Sequence, residues 1–232
     1  MRMVKYKVSA VVLAGGSSTR MGRNKALLKL GDKRMVQMIV ETLQDLFDEV
    51  LLVTRTPSTF HMLDDVRFVM DAIDTPEKNS LIGLYSGLLE AKNEYIFIVP
   101  CDMPFLNRKL IQHMVETLDG EDAKVPMIGS HFEPLHALYR KTCLPFIESQ
   151  IKNKHYKIAD FYDHVLVRPV CETEIRRLDP GMNGFININT EAEYEKAKAK
   201  WLLDRSVKTK NATKEGRSEH FNETRRSNDI LQ

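Results

Sequence analysis

The residue types best suited to chemistry cluster in Val11-Val12-Leu13-Ala14-Gly15-Gly16-Ser17-Ser18-Thr19-Arg20-Met21-Gly22-Arg23-Asn24-Lys25. Gly15 and Gly16 let the backbone come close to a flat or charged ligand and take up positive φ at little steric cost. Successive backbone N–H groups in such a loop form an anion-binding concavity. Arg20 adds a planar fork of donors and Lys25 a compact point charge. A glycine pair alone is usually a plain strand-to-helix turn. With the two cations added, the stretch suits a polyphosphate. It matches neither G-x-G-x-x-G nor G-x-x-x-x-G-K-[ST], so neither of those phosphate cradles is in use.

Two aspartates stand just beyond apolar runs that read as strands. Asp102 follows Tyr95 to Val99 in Pro100-Cys101-Asp102-Met103-Pro104, held between two prolines. A carboxylate on a rigid loop is a good Mg²⁺ ligand, because that ion takes one or two carboxylates, substrate phosphates and several waters. The competing reading is a turn aspartate bonded to its own backbone. The cationic loop upstream favours the metal. Asp71 follows Arg67 to Met70, and either accepts from a base or ribose or caps its own loop. Cys101 adjoins this site but, flanked by proline, suits a structural role.

The elements that must position these groups follow from hydrophobic period. Val8 to Leu13 and Val50 to Val53 are continuous apolar runs, as in strands covered on both faces. Met35 to Phe47 carries apolar residues at Val36, Ile39, Val40, Leu43, Leu46 and Phe47, which is helical spacing. Leu81 to Ala91 reads as helix, and Asn107 caps another running to Leu118. Lys124 to Ile128 and Leu135 to Tyr139 read as strands about a turn at Gly129-Ser130. Leu144 to Ile151 and Lys157 to Tyr162 read as helical. Val165 to Val170 reads as an edge strand because of Pro169, and Phe185 to Ile188 as a short strand. Thr190-Glu191-Ala192-Glu193 is a capping box for a last helix towards Leu203. Strands alternating with helices imply an α/β fold with a mostly parallel central sheet and helices on both faces. Ligands of such sheets sit beyond the carboxyl ends of the strands, where strand order reverses. The loop after Leu13, Asp71 and Asp102 all fall there.

The loop resembles the L-A-[AG]-G-x-S-x-R-[MF]-G-x-x-K signature of nucleotidyltransferases that join an NTP to a phosphorylated small molecule. Its L-A-G-G form, Leu13 to Gly16, is similar to that of the molybdenum cofactor guanylyltransferases; cytidylyltransferase relatives more often read L-A-A-G. Asp71, Pro100 to Phe105, Glu133-Pro134-Leu135-His136-Ala137-Leu138-Tyr139 and Asn187-Ile188-Asn189-Thr190 follow in family order. The resemblance implies a Rossmann-like nucleotidyltransferase fold, transfer of GMP from GTP to molybdenum-bound molybdopterin, and Mg²⁺ as cofactor. It implies nucleotide contacts from Leu13, Ala14, Gly15, Gly16, Lys25, Asp71 and Asp102, and catalytic roles for Arg20, Lys25 and Asp102, the last holding the metal. The family asparagine after the second strand is absent; Val53-Thr54 stands there. His136, Asn187 and Asn189 are acceptor-pocket candidates. A lone histidine in a strand is more often packed, and the two asparagines, alternating towards one face, suit structural amides equally well. Two alternatives stand: a cytidylyltransferase acting on molybdopterin or another phosphorylated small molecule, and a non-catalytic nucleotide- or cofactor-binding module. Transient contact with molybdoenzymes or other cofactor-assembly proteins is a further expectation.

Composition narrows the class. The chain has 232 residues, 43% hydrophobic and 28% charged, with a net charge of +2. From Asp204 onward there are seven Lys/Arg and five Asp/Glu, which is the whole of that excess. The body is neutral and lacks the basic surface that nucleic-acid binding needs. Residues 1–203 are expected to form the nucleotidyltransferase domain, and 204–232, poor in apolar residues, a disordered polar tail. Lys7 to Leu13 is too short for a signal core or a membrane span. Cys101, Cys143 and Cys171 are far apart and odd in number, suggesting neither zinc nor disulfides. A cytoplasmic setting fits this pattern.

Overall fold

The computed structural model describes residues 5–15, 24–74 and 79–205. Gly16, Arg20 and the chain beyond Arg205 lie outside these residues. Strand β1 (Tyr6–Leu13) is buried from Val8 onward, as a continuous apolar run requires when both faces are covered. A two-stranded antiparallel hairpin, β2 (Lys29–Leu30) and β3 (Lys33–Arg34), turns at Gly31, whose φ is +67°. Then follow α1 (Met35–Leu46), β4 (Phe47–Val53), β5 (Arg67–Val69), α2 (Ser80–Glu90), β6 (Tyr95–Pro100) and α3 (Arg108–Glu116). The second half contains β7 (Ala123–Ile128), β8 (His131–Phe132), β9 (Ala137–Arg140), α4 (Leu144–Lys152), β10 (Val167–Cys171) and α5 (Glu172–Leu178). A last helix, α6, spans 191–205.

Among the described residues the main sheet runs β10-β7-β9-β6-β1-β4-β5, with β8 paired to β7. Strand β1 lies between β4 and β6, parallel to both. The crossover through α1 leads to one side of β1 and that through α2 to the other, so strand order reverses at β1. Strand β9 runs antiparallel to β6 and β7. Its start therefore lies at the same sheet edge as the carboxyl ends of β1, β4, β5 and β6.

Two cores sandwich the sheet. Val36, Ile39 and Leu43 of α1, Leu110 and Met114 of α3 and Ile175 of α5 pack on Val8, Ala10 and Val12 from one face. Leu81, Leu84 and Leu88 of α2 and Ile147 of α4 pack on Val11 and Leu13 from the other. Each fully buried Leu or Ile contributes roughly 1.5–3 kcal/mol relative to exposure. Helix α2 lies close on β1: a Cβ added at Gly87 would sit 2.6 Å from Val11 Cγ1, and one at Gly83 2.8 Å from Leu13 Cδ2. This contact holds the first turn of α2 against the end of β1. A third cluster joins Ile188 and Tyr194 to Leu28, Leu30 and Met35.

Several local expectations hold. Asn107 Oδ1 accepts from Leu110 N at 3.1 Å, capping α3. Thr190 Oγ1 accepts from Glu193 N at 3.2 Å while Glu193 Oε2 accepts from Thr190 N at 2.8 Å, completing the capping box. Others differ. Residues 185–188 form no strand; a 3-10 turn at Asn183–Phe185 leads into extended chain outside the sheet. Ile158–His164 is helical as expected, in the 3-10 form, and runs two residues past Tyr162. Leu135 and His136 precede β9, and the Gly129-Ser130 turn leads into β8, which the periodicity did not show. Helix α6 continues through Arg205, two residues past the expected domain end, with Lys200 and Asp204 paired at 3.2 Å.

Candidate active site

The described ends of β1, β4, β5 and β6 and the approach to β9 place polar groups along one sheet edge. Ala14 N donates to Val53 O and Cys101 N to Leu13 O, both at 3.0 Å, so the ladder continues past the formal strand ends. Leu13, Ala14 and Gly15 line a cleft of about 380 Å³ on the β6 side of β1, together with Lys25, Asp102, Glu133, Asn187 and Asn189. The same three residues line a smaller pocket of about 110 Å³ on the β4 side, with Thr54, Arg55, Asp71 and Asn79. A Cβ added at Gly15 would meet nothing within 4 Å, and its φ is not positive. Among the described residues neither packing nor backbone conformation demands glycine there, and the open space suits close approach of a ligand.

Lys25 opens a 3-10 turn, Lys25–Leu27, whose first turn is capped by Asn24 Oδ1 accepting from Ala26 N at 3.1 Å. Its Nζ donates to Asn189 Oδ1 at 2.8 Å. Asn189 is itself anchored: its backbone N donates to Glu193 Oε2 at 2.7 Å. That bond, with the one from Thr190 N, holds the Glu193 carboxyl below its ordinary range. Tyr194 OH donates to Lys29 O at 2.7 Å, tying α6 to the hairpin beside Lys25.

Asp102 sits where β6 ends. Its carbonyl accepts from Ile188 N at 3.0 Å. Its Oδ1 is buried without a hydrogen-bond partner among the described residues. Burial pushes its pKa up; Lys25 opposes this, and the charge of Glu193 adds to it. An anionic oxygen held dry and unpartnered is destabilising until a cation satisfies it. Asp102 thus fits a divalent cation. Among the described residues no group of three or more His, Cys, Asp or Glu is arranged to hold a metal. One carboxylate completed by ligand phosphates needs no such cluster. Burial raises the Cys101 thiol to about 12, with the charge of Asp102 adding to the effect, so it stays a neutral thiol.

In the smaller pocket, Asp71 Oδ2 accepts from Arg55 Nε at 2.8 Å. Thr54 is buried, and its Oγ1 accepts from Thr56 N at 3.2 Å. Asn79 caps α2 through Oδ1, which accepts from Ile82 N at 3.0 Å.

The expected site residues thus separate. Leu13, Ala14, Gly15, Lys25, Asp102, Asn187 and Asn189 line the cleft, and Asp71 the neighbouring pocket. Gly16 and Arg20 lie outside the described residues. His136 does not reach the cleft. It is fully buried, 5.2 Å from the Phe97 ring and 4.6 Å from the Phe185 ring. Both ring nitrogens lack partners among the described residues, and burial lowers its pKa to about 4. It is a packed neutral imidazole that does not line the cleft, because the turn before β9 folds it under Asn183–Phe185. Sequence reasoning missed Glu133, Arg55 and Asn79 as site residues. Glu133 lines the cleft and burial raises its pKa. Asn79-Ser80 before an apolar helix was a readable cap signal and Glu133 opens a motif in family order; Arg55 had no signal.

Comparison with known proteins bears on this geometry. A family model, the MobA-like NTP transferase domain, matches residues 10–166. A protein of Natranaerobius thermophilus named "Probable molybdenum cofactor guanylyltransferase" is 38% identical over 82% of this chain and 95% of its own. The chain belongs to the MobA-like NTP transferase family. The molybdenum cofactor guanylyltransferase of Desulfosudis oleivorans is 34% identical to this MobA-like chain over 83% of it and 95% of the relative. The crystal structure of molybdopterin-guanine dinucleotide biosynthesis protein A from Archaeoglobus fulgidus shares the MobA-like fold. Its TM-score is 0.72 at 23% identity, over 83% of this chain and 97% of that one. The family resemblance seen in the loop therefore extends through the fold, and the chain is a nucleotidyltransferase.

Proposed function

We propose that this MobA-like enzyme transfers GMP from GTP to molybdenum-bound molybdopterin, releasing pyrophosphate and forming the guanine dinucleotide cofactor. The observation that carries the reading is the pair of pockets on opposite sides of β1, meeting at Leu13 to Gly15. A transferase of this kind needs room for two substrates whose phosphates meet at one point. The guanosine occupies the pocket with Asp71 and Thr54, and the acceptor the cleft with Asn187, Asn189 and Glu133.

A terminal phosphate oxygen of the acceptor attacks the α-phosphorus of GTP. The new O–P bond forms as the bond from the α-phosphorus to the bridging oxygen breaks, and its electron pair leaves with pyrophosphate. Such transfers depend on positioning and charge neutralisation more than on covalent help from protein. Lys25, oriented by Asn189, neutralises triphosphate charge. Arg20 adds a second cation from the loop. Asp102 is the residue that would hold Mg²⁺, which when bound neutralises phosphate charge near the bond that breaks. Neither Cys101 nor His136 takes part. The cofactor product passes on through transient contact with molybdoenzymes or cofactor-assembly proteins in the cytoplasm. Among the described residues no helix is long and apolar enough to cross a membrane.

Pyrophosphate release, measured with each of the four NTPs with and without molybdopterin, tests the reading. Turnover with GTP that depends on molybdopterin is expected. Preference for CTP would favour a cytidylyltransferase, and nucleotide binding without turnover a non-catalytic module.

A further inference from the structure

The smaller pocket is lined by a residue whose buried donor has no partner among the described residues. Asn79 stands immediately before α2 and lines this pocket. Its Oδ1 accepts from Ile82 N at 3.0 Å. That bond also settles the orientation of the amide, because a backbone N–H needs an acceptor and only the oxygen can serve. The NH₂ group is therefore Nδ2, and it is buried with no hydrogen-bond partner among the described residues. Leaving a buried donor unmade costs as much as losing a hydrogen bond, so such groups call for a partner. Rotating the side chain to free Nδ2 would break the cap of α2. The donor is thus held in place by the fold, on a residue that lines the pocket, and an acceptor on a ligand would satisfy it.

The same pocket holds an anchored acceptor, the Asp71 carboxylate, fixed by Arg55 at 2.8 Å. A donor and an acceptor among the lining residues of one pocket suit the edge of guanine, which offers the O6 acceptor beside N–H donors. Adenine has its 6-amino donor where guanine has O6 and is mismatched with an amide NH₂. Lys25 and Asp102 line the larger cleft on the other side of β1, which leaves the smaller pocket for a base rather than phosphates.

We infer that Asn79 is a specificity-determining residue whose Nδ2 donates to O6 of the guanine base. This rests on the reading of GTP as the nucleotide. A site built to bond a substrate group rejects the analogue lacking it, because the site's own polar group is then left unpaired.

Calorimetry of GTP, ITP and ATP binding to the full-length wild type, Asn79→Ser and Asn79→Asp tests it. Ser and Asp both preserve an N-cap acceptor for Ile82 N, and the melting temperature of each variant checks that the cap survives. ITP retains O6 and lacks the 2-amino group, so it isolates the O6 contact. The wild type is expected to bind GTP and ITP more tightly than ATP. Asn79→Ser should weaken GTP and ITP by the same factor, about tenfold, the size of one buried hydrogen bond, with ATP unchanged. Asn79→Asp should weaken GTP further and raise the relative affinity for ATP. An unchanged GTP-to-ATP ratio in a stable Asn79→Ser variant overturns the assignment and leaves the GTP reading standing. Loss of GTP affinity without loss of ITP affinity also overturns it. A wild type that does not favour GTP over ATP overturns the GTP reading and this inference with it.

Discussion

Lys25 Nζ donates to Asn189 Oδ1 at 2.8 Å across 164 positions of chain. The bond joins the loop after β1 to the approach to α6, and Glu193 braces the asparagine from behind at 2.7 Å. Asn189→Ala should therefore act through Lys25. Hydrogen bonds to charged groups are worth about 1.5–3 kcal/mol, so kcat/KM for GTP should fall about tenfold or more. Asn189→Asp should fall further, since its carboxylate would neutralise the lysine that must meet phosphate. Steady-state kinetics of both variants check this. Equal losses in the two would show that Asn189 serves the acceptor directly.

Lys25 meets a triphosphate that is anionic on binding as well as in the transition state. Lys25→Ala should both weaken GTP binding and slow turnover. Calorimetry beside steady-state kinetics tells whether both fall. Loss of kcat alone would place the charge only in the transition state.

Asp102→Asn removes the charge of a metal ligand while keeping its size. Turnover should drop roughly a hundredfold or more, the scale of one preorganised electrostatic element. GTP binding in EDTA should be unchanged or tighter. The stability effect has the opposite sign. Burial raises the Asp102 pKa, so the folded state binds its proton more tightly than the unfolded state does. The stability this contributes is present below the ordinary carboxyl range and is lost as pH rises through the raised value. Without metal, Asp102→Asn should melt no lower than the wild type at neutral pH, and its advantage should shrink in acid. Normal turnover with an unchanged Mg²⁺ requirement would put the metal elsewhere.

The His136 pKa is lowered to about 4 by burial, with Asp179 opposing. The unfolded chain therefore binds a proton that the folded chain refuses between about pH 6.5 and about pH 4. Wild-type stability should fall as pH drops through that window, by at most about 1.4 kcal/mol per pH unit from this group. His136→Leu removes two unpartnered ring nitrogens and should flatten the acid limb while turnover stays near normal. Denaturant melts at several pH values, with an activity assay, measure both. A large loss of acceptor affinity would return His136 to the cleft.

Much of this protein was legible in one dimension. Continuous apolar runs marked β1, β4 and β6, because strands buried on both faces have no polar side to show. Helical period marked α1, and Asn107 and the Thr190/Glu193 pair marked caps, because these bonds join residues three apart. Asp71 and Asp102 could be read as site residues since any strand of a parallel sheet ends at the same edge. Helix α5 was not visible: it is short, largely charged and buries one residue, Ile175. The antiparallel insertion of β9, which turns Glu133 towards the cleft, has no local signature because pairing direction is set by partners far along the chain. The same holds for the burial of His136 beneath Phe185 and for the bond from Lys25 to Asn189. Residue types and spacing determined which groups stand as candidates for the chemistry. Only the packing of α2 on β1 and of α6 on the β2–β3 hairpin decided which of those groups meet, since contacts between distant segments depend on the whole core.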